Sequence, residues 1–273
     1  MHPLLFHLGR FAIPTYGVCT ALALVVALLA LRYFARLLGL NANAAWNLGL
    51  IAILSTLVAG RLLLVADYFS AFRRHPFWIL GLTSSHSMWI DSVALIIGLG
   101  AGLLYALAEG LPLLRTLDCI APSAALALGF NRIGAFLAGL DFGLPTVHAW
   151  SVTYTSPIAS FWYGTPLGVP LNPVQLDHAL LSFLFFIGLL WWLPQRTQDG
   201  ELWGAWLFFY GLAAYFLAFQ RIVTQTQWAI RWPVAIAMVL ASMGFLVRRR
   251  PRATAQDYTV AQDYTVVDDS PGT

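Results

Sequence analysis

Lysine is absent from this chain, and all 15 of its basic residues are arginine. Charge of either sign is scarce. Charged residues fill 10% of the 273 positions and hydrophobic ones 59%, whereas a soluble domain carries about 25% charged residues. So few charges exclude a water-facing surface for a fold of this size and leave lipid as the outer solvent. A backbone in lipid must satisfy its own polar groups, which admits only helices or a closed barrel. The apolar runs are long and do not alternate, which excludes barrel strands. Cysteine is nearly absent too. Cys19 and Cys119 have no metal or redox spacing and read as small core residues. No Walker loop, dinucleotide fingerprint, GxSxG elbow or HExxH motif occurs, so no cofactor and no metal is expected. The formal net charge of +3 is modest and gives no nucleic-acid signal. The N-terminal MHPLLFHLGRFAIPTYG lacks a basic region followed by a clean apolar core and cleavage site, so the first span is expected to direct its own insertion.

What is present is a series of about seven apolar stretches, at 16–33, 46–65, 88–108, 117–140, 179–193, 203–219 and 234–247. Most approach the roughly 20 residues that a helix needs to cross the hydrocarbon core. The expected fold is therefore all-α, a polytopic transmembrane helical bundle occupying 1–250. The linker after the second stretch is apolar enough to lie in the interface or re-enter. Residues 141–175 are rich in Gly, Pro, Ser, Thr and aromatics and hold no Lys or Arg, which marks a loop or cap outside the cytoplasm. Arg248, Arg249, Arg250 and Arg252 close the last stretch and belong on the cytoplasmic side. Seven spans then put the N-terminus outside. Arg73, Arg74, Arg221 and Arg231 fall on the outer side and are assigned to anionic headgroups or to a substrate. The tail, 251–273, repeats AQDYTV at 255–260 and 261–266 and reads as disordered.

Polar groups inside spans carry the most information, because lipid makes them costly. Arg132 lies deep in the fourth stretch among Gly129, Gly134, Gly139 and Gly143. A planar guanidinium beside close-approach glycines suits a lipid phosphate. The alternative is a structural ion pair with Asp91 or Asp141. Arg61, near one end of the second stretch, either snorkels to the interface or serves the site. His86 stands at a membrane boundary where an imidazole can act as a base. Asp91, Asp141, Asp177 and His178 form a second polar set without diagnostic metal spacing.

Several motifs, in order along the chain, resemble the bacterial prolipoprotein diacylglyceryl transferase family. They are MHPLLFHLGRFAIPTYGV, GRLLLVADYF, GLTSSHSMWI, NRIGAFLAGLDFGLPT, NPVQLDHALL, YGLAAYFLAFQR and TQTQW. The resemblance implies an enzyme of the bacterial inner membrane. It would transfer diacylglyceryl from phosphatidylglycerol to the lipobox cysteine of a prolipoprotein signal peptide, releasing glycerol phosphate. It places Tyr16, His86 and Tyr210 at catalytic positions, and Arg132, Gly143, Arg61, Gln175 and Arg221 at substrate-binding ones. The pattern also departs from the family. Two signature asparagines fall on Ala135 and Ala138, the signature glutamate on Leu140 and the following arginine on Leu144. A later arginine and glutamate fall on Ala214 and Ala218, and the fifth-span histidine and Tyr-Glu on Asn172 and Asp177-His178. Two further readings therefore accompany the transferase. One is an impaired homologue that binds anionic phospholipid or a signal peptide. The other is a headgroup enzyme with altered chemistry built on Asp91, Asp141, Asp177 and His178.

Overall fold

Prolines and glycines set the limits of the helices, and their limits determine where polar groups meet. A computed structural model of the chain describes residues 2–8, 11–74, 88–221, 236, 238–240 and 242. Strands β1 (Leu4–Leu8) and β2 (Phe11–Pro14) form an antiparallel hairpin before the first helix. Pro14 is extended and stands at the N-cap, so α1 runs Thr15–Leu37. The Thr15 hydroxyl donates to the His2 carbonyl and ties hairpin to helix. Asn41 caps α2 (Ala42–Asp67) by accepting from the amides of Asn43 at 3.0 Å and Ala44 at 3.2 Å. A short α3 (Phe69–Arg74) and then α4 (Met88–Ala108) follow. Pro112 precedes α5 (Leu113–Ala138), and Gly139, at φ 84°, ends it in the left-handed region.

Beyond α5 lie β3 (Val152–Thr153), α6 (Pro157–Tyr163) and β4 (Pro170–Leu171), with β3 antiparallel to β4. Helix α7 (Val174–Trp192) follows Pro173, and α8 (Glu201–Ala218) closes the described order. Six of these helices, all but α3 and α6, are long and apolar enough to cross a membrane. The all-α polytopic bundle expected from the sequence is thus the architecture observed. The stretch 234–247 lies largely outside the described residues, and Arg231 and the tail 251–273 lie wholly outside them.

Helix α5 is the hub, packing on α1, α7 and α8, while α4 packs on α2. Lipid provides no hydrophobic drive between spans, so close contact through small residues does this work. A Cβ on Gly134 would land on Cys19, which explains why a small side chain serves at both positions. On α4, a Cβ at Gly98 would land on Thr56 Oγ1 and come within 2.6 Å of the Ala52 carbonyl. Backbone cannot move aside cheaply. Gly98→Ala should therefore cost about 1–3 kcal/mol, read as a lower melting temperature in detergent. Gly100→Ala is the control, because its Cβ would meet nothing within 4 Å. Equal melting of the two variants would refute the tight α2–α4 seam.

At the bundle end where α8 starts, Gly200 at φ 94° offers α8 no side-chain cap. Asp118, fully buried on α5, supplies one from a neighbouring helix. Its carboxylate accepts from the amides of Gly200 at 2.8 Å and Trp203 at 3.1 Å, and from Arg196 at 3.2 Å. Asp199 joins Arg196 at 3.3 Å and Arg115 at 3.0 Å. This network joins the start of α5 to the turn between α7 and α8.

Candidate functional site

The opposite end of α5 holds the other polar cluster, and backbone geometry assembles it. After the left-handed turn at Gly139, Asp141 also adopts positive φ, 59°. Aspartate tolerates that region better than most residues with a Cβ, and non-glycine residues held there concentrate at functional sites. The chain then extends and is hydrogen-bonded on both sides. Gly143 N donates to Asn172 O at 3.1 Å, and Leu144 N donates to Gln220 O at 2.9 Å. Gly143 and Arg221 form a β-bridge. A Cβ on Gly143 would stand 2.5 Å from Asn172 O and 2.9 Å from Gln220 O. Glycine is thus required where three backbone segments converge: the exit of α5, the approach to α7 and the exit of α8.

That convergence brings five side chains together. Arg132 Nη1 lies 2.6 Å from Asp141 Oδ2, and Arg221 Nη1 lies 3.6 Å from the same oxygen. Arg221 Nη2 lies 3.3 Å from His178 Nδ1. The His178 ring stacks on Tyr210 with centroids 5.6 Å apart. The side chains of Arg132 and Arg221 are only 16% and 9% exposed. Of the two partners offered for Arg132 by the sequence, Asp141 is the one observed. The pairing does not use up the guanidinium, because Arg132 Nε has no hydrogen-bond partner among the described residues. Two cations facing one carboxylate leave positive charge in excess, the arrangement that suits an anion.

Around this centre, Gln175 is fully buried and donates from Nε2 to Leu140 O at 2.8 Å and to the Tyr154 hydroxyl at 3.3 Å. It thereby pins the residue next to Asp141. Burial pushes the Tyr154 phenol up to about 12, so it stays a hydroxyl that donates to Phe136 O at 3.5 Å. Thr165, also fully buried, donates to Gly139 O at 2.8 Å. The segment carrying α6 is therefore clamped onto the end of α5. Tyr16 sits in the first turn of α1, where Asn131 Nδ2 lies 3.5 Å from its hydroxyl and 3.0 Å from Thr20 Oγ1. Tyr16 and Tyr210 both lie within electrostatic range of Arg132.

The remaining expected residues lie elsewhere. Asp177 lines a cavity of about 690 Å³ whose mixed walls include Thr146, His148, Asn172 and Gln220 beside Leu144, Leu180 and Phe219. Arg61 stands over the Phe72 ring, 5.7 Å from its centroid, and Asp91 lies in the first turn of α4. Both belong to the α2–α4 side of the bundle. His86 lies outside the described residues. Sequence reasoning missed Asn131 and Tyr154. An amide inside an apolar span was a usable signal for Asn131. Tyr154 gave none, because it sits in a loop crowded with aromatics.

Comparison with known proteins places the sequence in a group. The family model described as prolipoprotein diacylglyceryl transferase matches residues 3–248. A Clostridium tetani protein named phosphatidylglycerol–prolipoprotein diacylglyceryl transferase is 29% identical over 222 residues, covering 81% of this chain and 86% of its own length. A similarly named protein of Clostridium perfringens is 25% identical over 208 residues, covering 76% and 78%. One from Trichormus variabilis is 27% identical over 269 residues and covers 91% of each chain.

Proposed function

We propose, from the premise that the chain belongs to the prolipoprotein diacylglyceryl transferase family, that it transfers diacylglyceryl from phosphatidylglycerol to the cysteine thiol of a prolipoprotein. The sulfur attacks the glyceryl carbon, the carbon–oxygen bond to phosphate breaks, and glycerol phosphate leaves with the proton that the thiol gives up. A phosphodiester in lipid needs its charge met throughout this step, and preorganised donors are the efficient way to do so. The single observation that carries the reading is the sharing of one Asp141 oxygen by Arg132 and Arg221. These arginines hold the phosphate, and Asp141 keeps both in place when no lipid is bound.

The remaining roles follow from position and resemblance. His86 takes the thiol proton, and Tyr16 and Tyr210 flank the phosphate. Gln175 fixes the turn that presents Asp141, and Gly143 lets the three backbone segments close. Arg61 meets the headgroup layer on the α2–α4 side. Asp141 also supports turnover over mere lipid binding. The signature glutamate falls on Leu140, yet a carboxylate one residue later reaches the arginine. The site end of the bundle, with the N-terminus, faces outward from the plasma membrane, where prolipoprotein signal peptides emerge.

The test uses purified protein in phosphatidylglycerol vesicles with a lipobox peptide. The expected result is a thioether-linked diacylglyceryl peptide by mass spectrometry, with one glycerol phosphate released per peptide modified. Phosphatidylethanolamine vesicles should give none. Absence of product at saturating lipid and peptide overturns the proposal.

A further inference from the structure

His178 is 4% exposed, lies in the first turns of a membrane-spanning helix and carries two ring nitrogens in unlike surroundings. Nδ1 faces Arg221 Nη2 at 3.3 Å. A guanidinium nitrogen only donates, so Nδ1 must be the acceptor. The neutral ring then carries its proton on Nε2. That nitrogen is buried and has no hydrogen-bond partner among the described residues. Stacking on Tyr210, at 28° between ring planes, holds the imidazole in this orientation. Arg132 Nε, in the same cluster, is a second buried donor without a partner among the described residues. Orphaned buried donors are rare because each forfeits its desolvation cost. Two of them beside a pair of arginines describe a site missing an acceptor.

We infer that His178 is a substrate-binding residue of this chain, its Nε2–H donating to one oxygen of a phosphate group whose other oxygens Arg132 and Arg221 hold. The inference rests on the transferase reading for the source of the phosphate, but not for the donor itself. Arg221 thus acts twice, as a cation toward the anion and as the group that fixes the His178 tautomer. Among the described residues Asp141 is the carboxylate that contacts the cluster, and Tyr210 lies over the ring. A neutral donor at this place adds a hydrogen bond to the phosphate without adding charge to a lipid-embedded pocket.

The test compares His178→Gln, which keeps an N–H near the Nε2 position, with His178→Phe, which keeps the stacking ring and loses the donor. In phosphatidylglycerol vesicles with the lipobox peptide, the Phe variant should lose roughly ten- to a hundred-fold in kcat/KM, the scale of one hydrogen bond to a charged group. The Gln variant should stay within about three-fold, well inside that same scale. Nitrogen-15 spectra of histidine-labelled protein supply a readout that a packing role would not move. His178 should show protonated Nε2 and bare Nδ1, and the Nε2 proton should shift downfield with phosphatidylglycerol. Inorganic phosphate should leave it unmoved if the lipid is the source of the anion, and a shift with inorganic phosphate alone would overturn the lipid assignment. A Phe variant that transfers at the parent rate overturns the inference, as does a proton found on Nδ1. A parent protein that transfers nothing, yet shows the lipid-dependent shift, overturns the transferase reading and leaves the donor role standing.

Discussion

Arg132→Ala should lower kcat/KM for diacylglyceryl transfer by on the order of a hundred- to a thousand-fold, the loss typical of removing one preorganised donor from a developing charge. The fold should survive the change. Asp141 retains Arg221 at 3.6 Å, so no carboxylate is stranded in a dry environment. Arg132→Lys separates charge from shape. Its ammonium can still face Asp141, but it cannot hold the carboxylate and a phosphate with one planar fork. An intermediate loss of about ten-fold is expected for Lys, since bidentate geometry rather than charge alone is removed. Initial rates over a range of phosphatidylglycerol contents provide the measurement. Unchanged transfer by Arg132→Ala would remove the phosphate role and leave the ion pair with Asp141 as its whole purpose.

The second large effect is on stability. Asp118→Ala should cost about 2–5 kcal/mol, because two backbone amides lose their acceptor at about 1–3 kcal/mol each. The amides of Gly200 and Trp203 lose their acceptor at once, while Arg196 keeps Asp199 at 3.3 Å. Neither amide has another cap, since Gly200 has no side chain to offer. Asp118→Asn keeps an oxygen for the amides and forfeits the ion pair, so its loss should be smaller. Denaturant or thermal unfolding in detergent gives both values. Equal, slight losses in the two variants would mean that solvent caps α8 instead. Transfer by any folded Asp118→Asn fraction should proceed normally, because the residue sits at the other end of α5 from Arg132.

These two residues show what the sequence disclosed and what it withheld. Hydropathy located the third span at 88–108, and α4 runs Met88–Ala108. It placed the fourth at 117–140, whereas α5 runs Leu113–Ala138, between Pro112 and the left-handed Gly139. Those punctuating residues were readable and outrank apolar content at a helix end. The fifth stretch was read as starting at 179, whereas α7 begins at Val174. Its first turns carry Gln175, Asp177 and His178, whose polarity lowered the apparent hydropathy. Two of them face the cluster, so the site itself concealed the helix that bears it. Arg132 was legible as an intrusion of charge into an apolar span. The meeting of Arg221 with His178 was not, since it depends on backbone pairing between segments far apart in sequence. The hairpin of β1 and β2 was missed for a similar reason, as its strands are short and its partner helix is supplied by the fold.

The left-handed residue at Asp141 has a consequence for how such a site changes over generations. On a helix, moving an acid by one position swings it through about 100° and out of reach of its partner. Here the helix has already ended at Gly139, and the irregular turn decides where the carboxylate points. Drift of the acid from the position of Leu140 to that of Asp141 is therefore survivable, so long as aspartate or another residue at ease with positive φ receives it. In this chain the signature acid position is Leu140, yet the Asp141 carboxylate stands beside Arg132. The tolerance belongs to the loop and not to the helix that precedes it.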